Sequence, residues 1–277
     1  MIYFPSFATT NMAPSLKRIE KEALQSGFFD KIYLYNEKKL DWNFRKSHSQ
    51  YFKDYPRGYG YWIWKSYLIS KIMSEKMHEG DILVYLDAGC EIHATGWKRW
   101  EEYIEMLEYY SMIVFVQESQ QEIRWTKYDL LSHFGMDDKD EIKYSPQFYG
   151  GAQIMKKDDF AMRFVLEWYN TCEENLTTLL CDAPSMHPEF PEFQENRHDQ
   201  SIFSLLCKKR DPLLLQSHEG EHIRALSVSE TYSRDPEWKD MDIYPFWAKR
   251  NKEIAEPNIF QRIVRRIIRC ASNILTF

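Results

Sequence analysis

No stretch of the chain approaches the roughly 20 consecutive apolar residues needed to cross a bilayer, so no membrane-spanning helix is expected. Cysteine pairs are missing as well. Cys90, Cys172, Cys181, Cys207 and Cys270 are odd in number and widely spaced, with no Cys-x-x-Cys, which argues against a zinc site or a disulfide framework and predicts reduced thiols. Positive charge is not in excess: 36 lysines and arginines stand against 42 aspartates and glutamates, a net charge of -6. Without a basic surplus, nucleic acid is not an expected partner. The opening Met1-Ile2-Tyr3-Phe4-Pro5-Ser6 has neither the basic start nor the long apolar core of a secretory signal, and a cytoplasmic protein is expected. Internal repeats and clean linkers are absent before residue 250, so residues 1–250 are expected to form one domain.

Among what is present, 44% hydrophobic residues over 277 positions suffice for a full core. The 9 Trp, 18 Tyr and 17 Phe often stand beside polar residues, which suits stacking on sugars or bases and equally suits an aromatic core. Short apolar runs alternate with helical spacing. Strands are expected at 2–7, 31–35, 82–86, 112–116, 147–155 and 213–215, and helices at 15–25, 62–77, 97–110, 159–180 and 199–208. Residues 36–60 read as irregular, and the charged stretch at 137–141 and the proline-rich 184–191 read as loops. This alternation predicts an α/β fold with a largely parallel sheet and helices on both faces.

The most informative segment is Asp81-Ile82-Leu83-Val84-Tyr85-Leu86-Asp87-Ala88-Gly89-Cys90-Glu91, a buried strand that delivers a carboxylate to its carboxyl end, where open α/β sheets bind ligands. If the chain stays extended past Asp87, alternation puts Asp87, Gly89 and Glu91 on one side, and the two carboxylates can share a hard cation. The alternative is that Asp87 caps a turn and Glu91 is solvated.

Three further segments carry chemistry. Arg57-Gly58-Tyr59-Gly60-Tyr61-Trp62-Ile63-Trp64-Lys65 enters a helix whose start, flanked by Arg57 and Lys65, suits a phosphate, unless the rings are simply core. Tyr149-Gly150-Gly151-Ala152 offers close backbone approach to a ligand, or a plain turn before a strand. Arg197-His198-Asp199-Gln200-Ser201 opens a helix, where Asp199 or Ser201 is otherwise a cap.

In that order, Gly-Tyr-Trp-Ile-Trp-Lys at 60–65, Tyr-Leu-Asp-Ala-Gly-Cys-Glu at 85–91, Gly-Gly-Ala-Gln at 150–153 and Arg-His-Asp-Gln-Ser at 197–201 resemble bacterial glycosyltransferases of capsule and lipopolysaccharide synthesis, over residues 1–220. The resemblance implies a GT-A type fold, a mixed, mainly parallel sheet flanked by helices. It implies transfer of a sugar from a nucleotide-diphosphate donor to a glycan or glycolipid acceptor, with Mn2+ or Mg2+ on the diphosphate. Asp87 matches the first Asp of the family's Asp-x-Asp; Gly89 stands where the second belongs, Glu91 is its substitute, and His218, with His222 as rival, matches a C-terminal histidine ligand. Asp199 and Gln200 match the catalytic pair, Asp199 either stabilising an oxocarbenium-like centre or serving as base. Donor contacts are implied for Thr9, Arg57, Tyr61, Trp64 and Lys65, for Ala88 and Gly89 beside Asp87, and for Gly150, Gly151 and His198.

Two other classes compete. Leu86-Asp87-Ala88-Gly89-Cys90 imitates the turn of S-adenosylmethionine-dependent methyltransferases, but Glu91 stands where the second glycine is needed. A non-enzymatic, membrane-associated sugar-binding protein explains the tryptophans but gives no reason for carboxylates at element ends.

Residues 257–277 differ from the rest. Arg262, Arg265, Arg266 and Arg269 fall at i, i+3, i+4 and i+7, opposite Phe260, Ile263, Val264, Ile267, Ile268, Ala271, Ile274 and Leu275. This pattern predicts a basic amphipathic helix lying on an anionic membrane, peripheral to the inner face of the cell membrane; the alternative is a terminal helix packed on the domain. Removing 257–277 should weaken sedimentation with anionic liposomes by at least about tenfold while sparing turnover of a soluble acceptor. Equal liposome binding by the shortened chain would show that the tail is no anchor.

Overall fold

A computed structural model describes residues 1–210, 214–217 and 244–248. β1 (Ile2–Phe7) is buried at every position after Ile2, as expected of a strand covered on both faces. A helix, Ala13–Ser26, starts with a proline in its first turn and ends at Gly27, whose φ of 71° is the left-handed conformation that closes helices. β2 (Lys31–Tyr35) then returns parallel to β1, completing the expected βαβ unit. β3 (Ile82–Leu86) lies parallel to β1 on its other side.

After β3 come a two-residue β4 (Glu91–Ile92), the helix Trp97–Met106, β5 (Met112–Gln121), β6 (Pro146–Lys156), the helices Asp159–Glu174 and Asp199–Lys209, β7 (Leu214–Ser217) and β8 (Phe246–Trp247). The main sheet has the order β2-β1-β3-β6-β5-β7, and β4 pairs with β8 in a separate ribbon. Within the main sheet β6 alone runs antiparallel, to both β3 and β5, so five strands point one way. This mixed, mainly parallel sheet brings the middle of β6 beside the carboxyl end of β3, with Leu86 opposite Ala152.

Alternation along the strands divides the core. Tyr3, Leu83, Tyr85 and Val114 point to the face covered by Ile63–Lys76, Asp159–Glu174 and Asp199–Lys209, while Phe4, Val84, Leu86 and Phe115 meet Ile19, Ala23, Trp100 and Tyr103 of the other two helices. The four cysteines among the described residues are buried and unpaired.

Several expected boundaries move. The stretch 36–60 is not irregular throughout: Asp41 caps the helix Trp42–Ser47 through the amides of Asn43 and Phe44, and Ser49–Asp54 follows. The helix expected to reach 180 stops at Glu174, and the one expected to reach 110 stops at Met106. The strand expected at 112–116 continues to Gln121 across two register shifts. The expected helix at 257–277 lies outside the described residues.

The entry to the Ile63–Lys76 helix is unusual. Gly58, Tyr59, Gly60, Tyr61 and Trp62 all have positive φ, from 49° to 77°, and Tyr61 N and Trp62 N donate to the carbonyls four residues earlier. This is one turn of left-handed helix, costing about 1–2 kcal/mol at each non-glycine residue. Aromatic packing offsets it: Tyr59 stacks on Phe52 at 4.1 Å, and Trp64 Nε1 donates to Gly58 O at 2.9 Å. A Cβ on Gly60 would come within 2.7 Å of the Phe52 ring. Gly60→Ala should therefore lose about 2–4 kcal/mol of unfolding free energy in urea, from backbone strain and overpacking together.

Candidate active site

Lys65 lies in the first turn after the left-handed segment and is 3% exposed. Its ammonium donates to Gly150 O at 3.0 Å and sits 3.0 Å from Asp199 Oδ2 and 3.3 Å from Asp87 Oδ1. Burial opposes that charge, but the two carboxylates outweigh it and hold the pKa above the ordinary lysine value. Asp199 shows the converse balance: burial pushes its carboxyl up to about 6 although Lys65 pulls it down. Lys65 and Asp199 form a close ion pair in which charge attraction, more than hydrogen-bond alignment, holds the two groups together. A carboxyl in this range is ionised at neutral pH and still basic enough to take a hydroxyl proton.

Asp87 begins a turn at the end of β3, closed by Cys90 N donating to Asp87 O at 2.8 Å. The extended continuation that would place Asp87, Gly89 and Glu91 on one side does not occur. Arg18 of the Ala13–Ser26 helix donates to Ala88 O and Cys90 O at 2.9 and 3.0 Å and holds the turn down. Asp87 N donates to Gly151 O at 2.8 Å, and Tyr85 Oη donates to Asp87 Oδ1 at 2.6 Å.

The paired glycines are buried inside β6 rather than in a turn before a strand. A Cβ on Gly151 would lie 2.7 Å from Asp87 Oδ2, and one on Gly150 would lie 3.1 Å from Gln200 Cβ. The protein's own Tyr149 ring and Asp87, beside Gly151, and Gln200, beside Gly150, fill the space that the missing side chains leave. Gln200 Nε2 donates to Gln117 Oε1 and Gln147 Oε1 at 2.9 and 2.8 Å, and its Oε1 accepts from Gly150 N at 3.1 Å. It braces β5 and β6 against the Asp199–Lys209 helix.

The remaining expected site residues divide. Arg57, Tyr61 and His198 form a second group around Asp182: Tyr61 Oη donates to Asp182 Oδ2 at 2.9 Å, Arg57 lies 3.3 Å from the same oxygen, and the His198 ring packs on Tyr61. Trp64 is core, 3% exposed and stacked on Phe7 at 3.8 Å. Ala88 is also buried, and Thr9, half-buried after β1, hydrogen-bonds Asn11.

The described donor set does not fit a divalent ion. No group of three or more His, Cys, Asp or Glu side chains among the described residues is arranged to hold one. Asp87 already meets Lys65 and Tyr85, Gly89 brings no ligand, and Glu91 lies in the β4 ribbon, 8% exposed and 3.3 Å from His93 Nε2. His218 lies outside the described residues.

Sequence reading passed over Tyr85, Gln117, Gln147 and Asp182. Glutamines inside otherwise apolar strands were an available signal for two of them, since a buried amide needs partners. Asp182, on a loop after the Asp159–Glu174 helix, has no local signal. Its place depends on long-range folding.

No family model matches the chain, and no curated protein matches it. Among solved structures it is similar to mouse xyloside xylosyltransferase 1 in the apo form, with 12% identity over 92% of this chain and 100% of that one and a TM-score of 0.45. It is similar to the galactosyltransferase LgtC in complex with donor and acceptor sugar analogs, with 12% identity over 98% and 95% of the two chains and a TM-score of 0.46. A glycosyltransferase involved in glycosylation of the major capsid of PBCV-1 shows 11% identity over 79% and 82%, with a TM-score of 0.41.

The raised Asp199 carboxyl has a signed consequence for stability. Between its ordinary value of 3.8 and the folded value of about 6, the native state holds a proton that the unfolded chain releases. Stability should therefore fall as pH rises through that window, and the loss is complete above it. Compared with Asp199→Asn, the wild type should lose on the order of 3 kcal/mol between about pH 4 and pH 7, read from denaturant unfolding at each pH.

Proposed function

We propose that the chain is a GT-A type glycosyltransferase that moves a sugar from a nucleotide-diphosphate donor to a glycan acceptor. The observation that carries this reading is the convergence of Lys65, Asp87, Gly150 and Asp199, from four separate segments, on the carboxyl end of β3. Open α/β sheets bind ligands at such ends. The same segments carry the resemblance noted in the sequence.

In this reading Lys65 holds Asp87 and Asp199 in place and keeps Asp199 ionised. Asp199 faces the anomeric carbon as its bond to the diphosphate oxygen breaks, and it serves as base toward the acceptor hydroxyl. Gln200 fixes the buried β6 glycines, which back the site from behind, and Asp87 with the turn at Gly89 forms the wall on which the donor rests. Thr9, at the end of β1, borders the same edge of the sheet. Mn2+ or Mg2+ on Asp87 would require ligands such as His218 beyond the described set, and no step here is routed through a metal ion.

The acceptor is a lipid-linked glycan of surface polysaccharide or lipopolysaccharide synthesis, reached from the cytoplasmic face by the basic tail 257–277. No helix among the described residues is long and apolar enough to cross a membrane, in keeping with a peripheral association.

A screen of nucleotide sugars for donor hydrolysis and transfer tests the reading. At least one donor should be turned over, with the rate rising as pH passes about 6 and Asp199 ionises. Asp87→Asn and Asp199→Asn should each lower kcat by about a hundredfold or more while the proteins stay folded by circular dichroism. Full activity in both variants would remove the assignment.

A further inference from the structure

Tyr85, near the carboxyl end of β3, ends in a hydroxyl that donates to Asp87 Oδ1 at 2.6 Å and has no other hydrogen-bond partner among the described residues. We propose that Tyr85 is a positioning residue of the active site, whose phenol fixes the Asp87 carboxylate with Oδ1 held inside and Oδ2 presented to the donor. The inference rests on the transferase reading and adds to it the group that orients the donor wall.

The first support is what the core asks for at this position. Tyr85 is 0% exposed and lies with Leu83 and Val114 in the apolar layer on the face covered by the Ile63–Lys76 helix. A phenylalanine ring fills that place equally well, and a buried hydroxyl costs stability unless it is bonded. The oxygen therefore serves Asp87 rather than the packing.

Two groups meet Asp87 Oδ1, and they differ in what they can enforce. The Lys65 ammonium approaches to 3.3 Å, but it carries three equivalent donors on a rotatable tip and also meets Asp199 and Gly150 O. The phenol brings one donor to one acceptor, at shorter range and from a rigid ring. Lys65 keeps the carboxylate near by its charge, and the phenol decides which oxygen faces inward. The ammonium also lies 5.5 Å from the centre of the Tyr85 ring, so the ring supports the charge while its hydroxyl orients the counter-charge. Burial, together with the facing Asp87 carboxylate, holds the phenol pKa well above its ordinary value, and the group stays a donor.

Oδ2 is the oxygen this arrangement leaves over. It accepts no hydrogen bond among the described residues and belongs to a side chain that is 33% exposed. It rests against the bare main chain of Gly151, where a Cβ would stand 2.7 Å away. Asp87 N, donating to Gly151 O at 2.8 Å, anchors the same residue from behind. With the main chain held, rotating the carboxylate breaks the bond to Tyr85.

A double-mutant cycle on the full chain, run with a donor from the nucleotide-sugar screen, tests the role. Tyr85→Phe should lower kcat/KM about tenfold or more in the wild type and less than about twofold in Asp87→Ala, where the phenol has no carboxylate to hold. 4-Aminophenylalanine at position 85, which keeps a donor at the ring tip, should restore the rate to within about threefold of wild type. 4-Methylphenylalanine, alike in size but without a donor, takes the place of Tyr85→Phe if that variant misfolds. Equal losses in both backgrounds, or full activity without the donor, overturn the proposal. Crystal structures of the wild type and of the variant lacking the donor give a reading independent of turnover: one Asp87 orientation in the first, and a rotated or divided carboxylate in the second. The same single orientation in both also overturns it. A carboxylate that loses its orientation in a protein turning over no nucleotide sugar would uphold the positioning by Tyr85 and remove the transferase reading instead.

Discussion

Burying a lysine costs several kcal/mol unless its charge is met on the spot, and at Lys65 it is met by groups from three separate stretches of chain: the Asp87 turn, the Gly150 carbonyl of β6 and the start of the Asp199–Lys209 helix. None of these partners can move away without leaving a charge uncompensated in the interior. The ammonium therefore fixes the relative positions of the strand end, the antiparallel strand and the helix, and these are the elements around the site. The left-handed turn before Lys65 belongs to the same constraint, since it sets the angle at which the helix enters the sheet layer.

Around that pair of carboxylates the structure keeps its polar groups occupied. Gln200 uses its amide on Gln117, Gln147 and Gly150, and behind it Gln147 reaches the fully buried Glu122, which Lys208 and Ser204 neutralise and cap. Against this background the exceptions stand out. Asp199 Oδ2 and His198 Nε2, on adjacent residues, are two of several buried polar atoms without an aligned hydrogen bond; Asp199 Oδ2 is met instead by the Lys65 ammonium at 3.0 Å, and His198 Nε2 faces Asp182 Oδ1 at 3.5 Å.

Much of the architecture was legible in the chain because it rests on local periodicity. The buried runs at 2–7 and 82–86 and the helix ended by Gly27 follow from side-chain pattern and capping alone. The Lys65, Asp87 and Asp199 segments were also legible as element ends carrying charge. The direction of β6 was not, because a buried strand reads the same whether its neighbours are parallel or antiparallel. Nor was the meaning of Gly150 and Gly151: a glycine pair signals close approach but does not say what approaches, and here Gln200, Tyr149 and Asp87 do. The expected line of Asp87, Gly89 and Glu91 failed because Arg18, distant in sequence, bends the turn.

Lys127 gives the loop after the Asp159–Glu174 helix a property that its composition hides. Its ammonium, 2% exposed, binds the carbonyls of Thr178, Cys181 and Ala183 and so immobilises the chain on either side of Asp182. One charge thus holds the loop at three points, and neither flank of Asp182 can move without leaving that ammonium unmet in the interior.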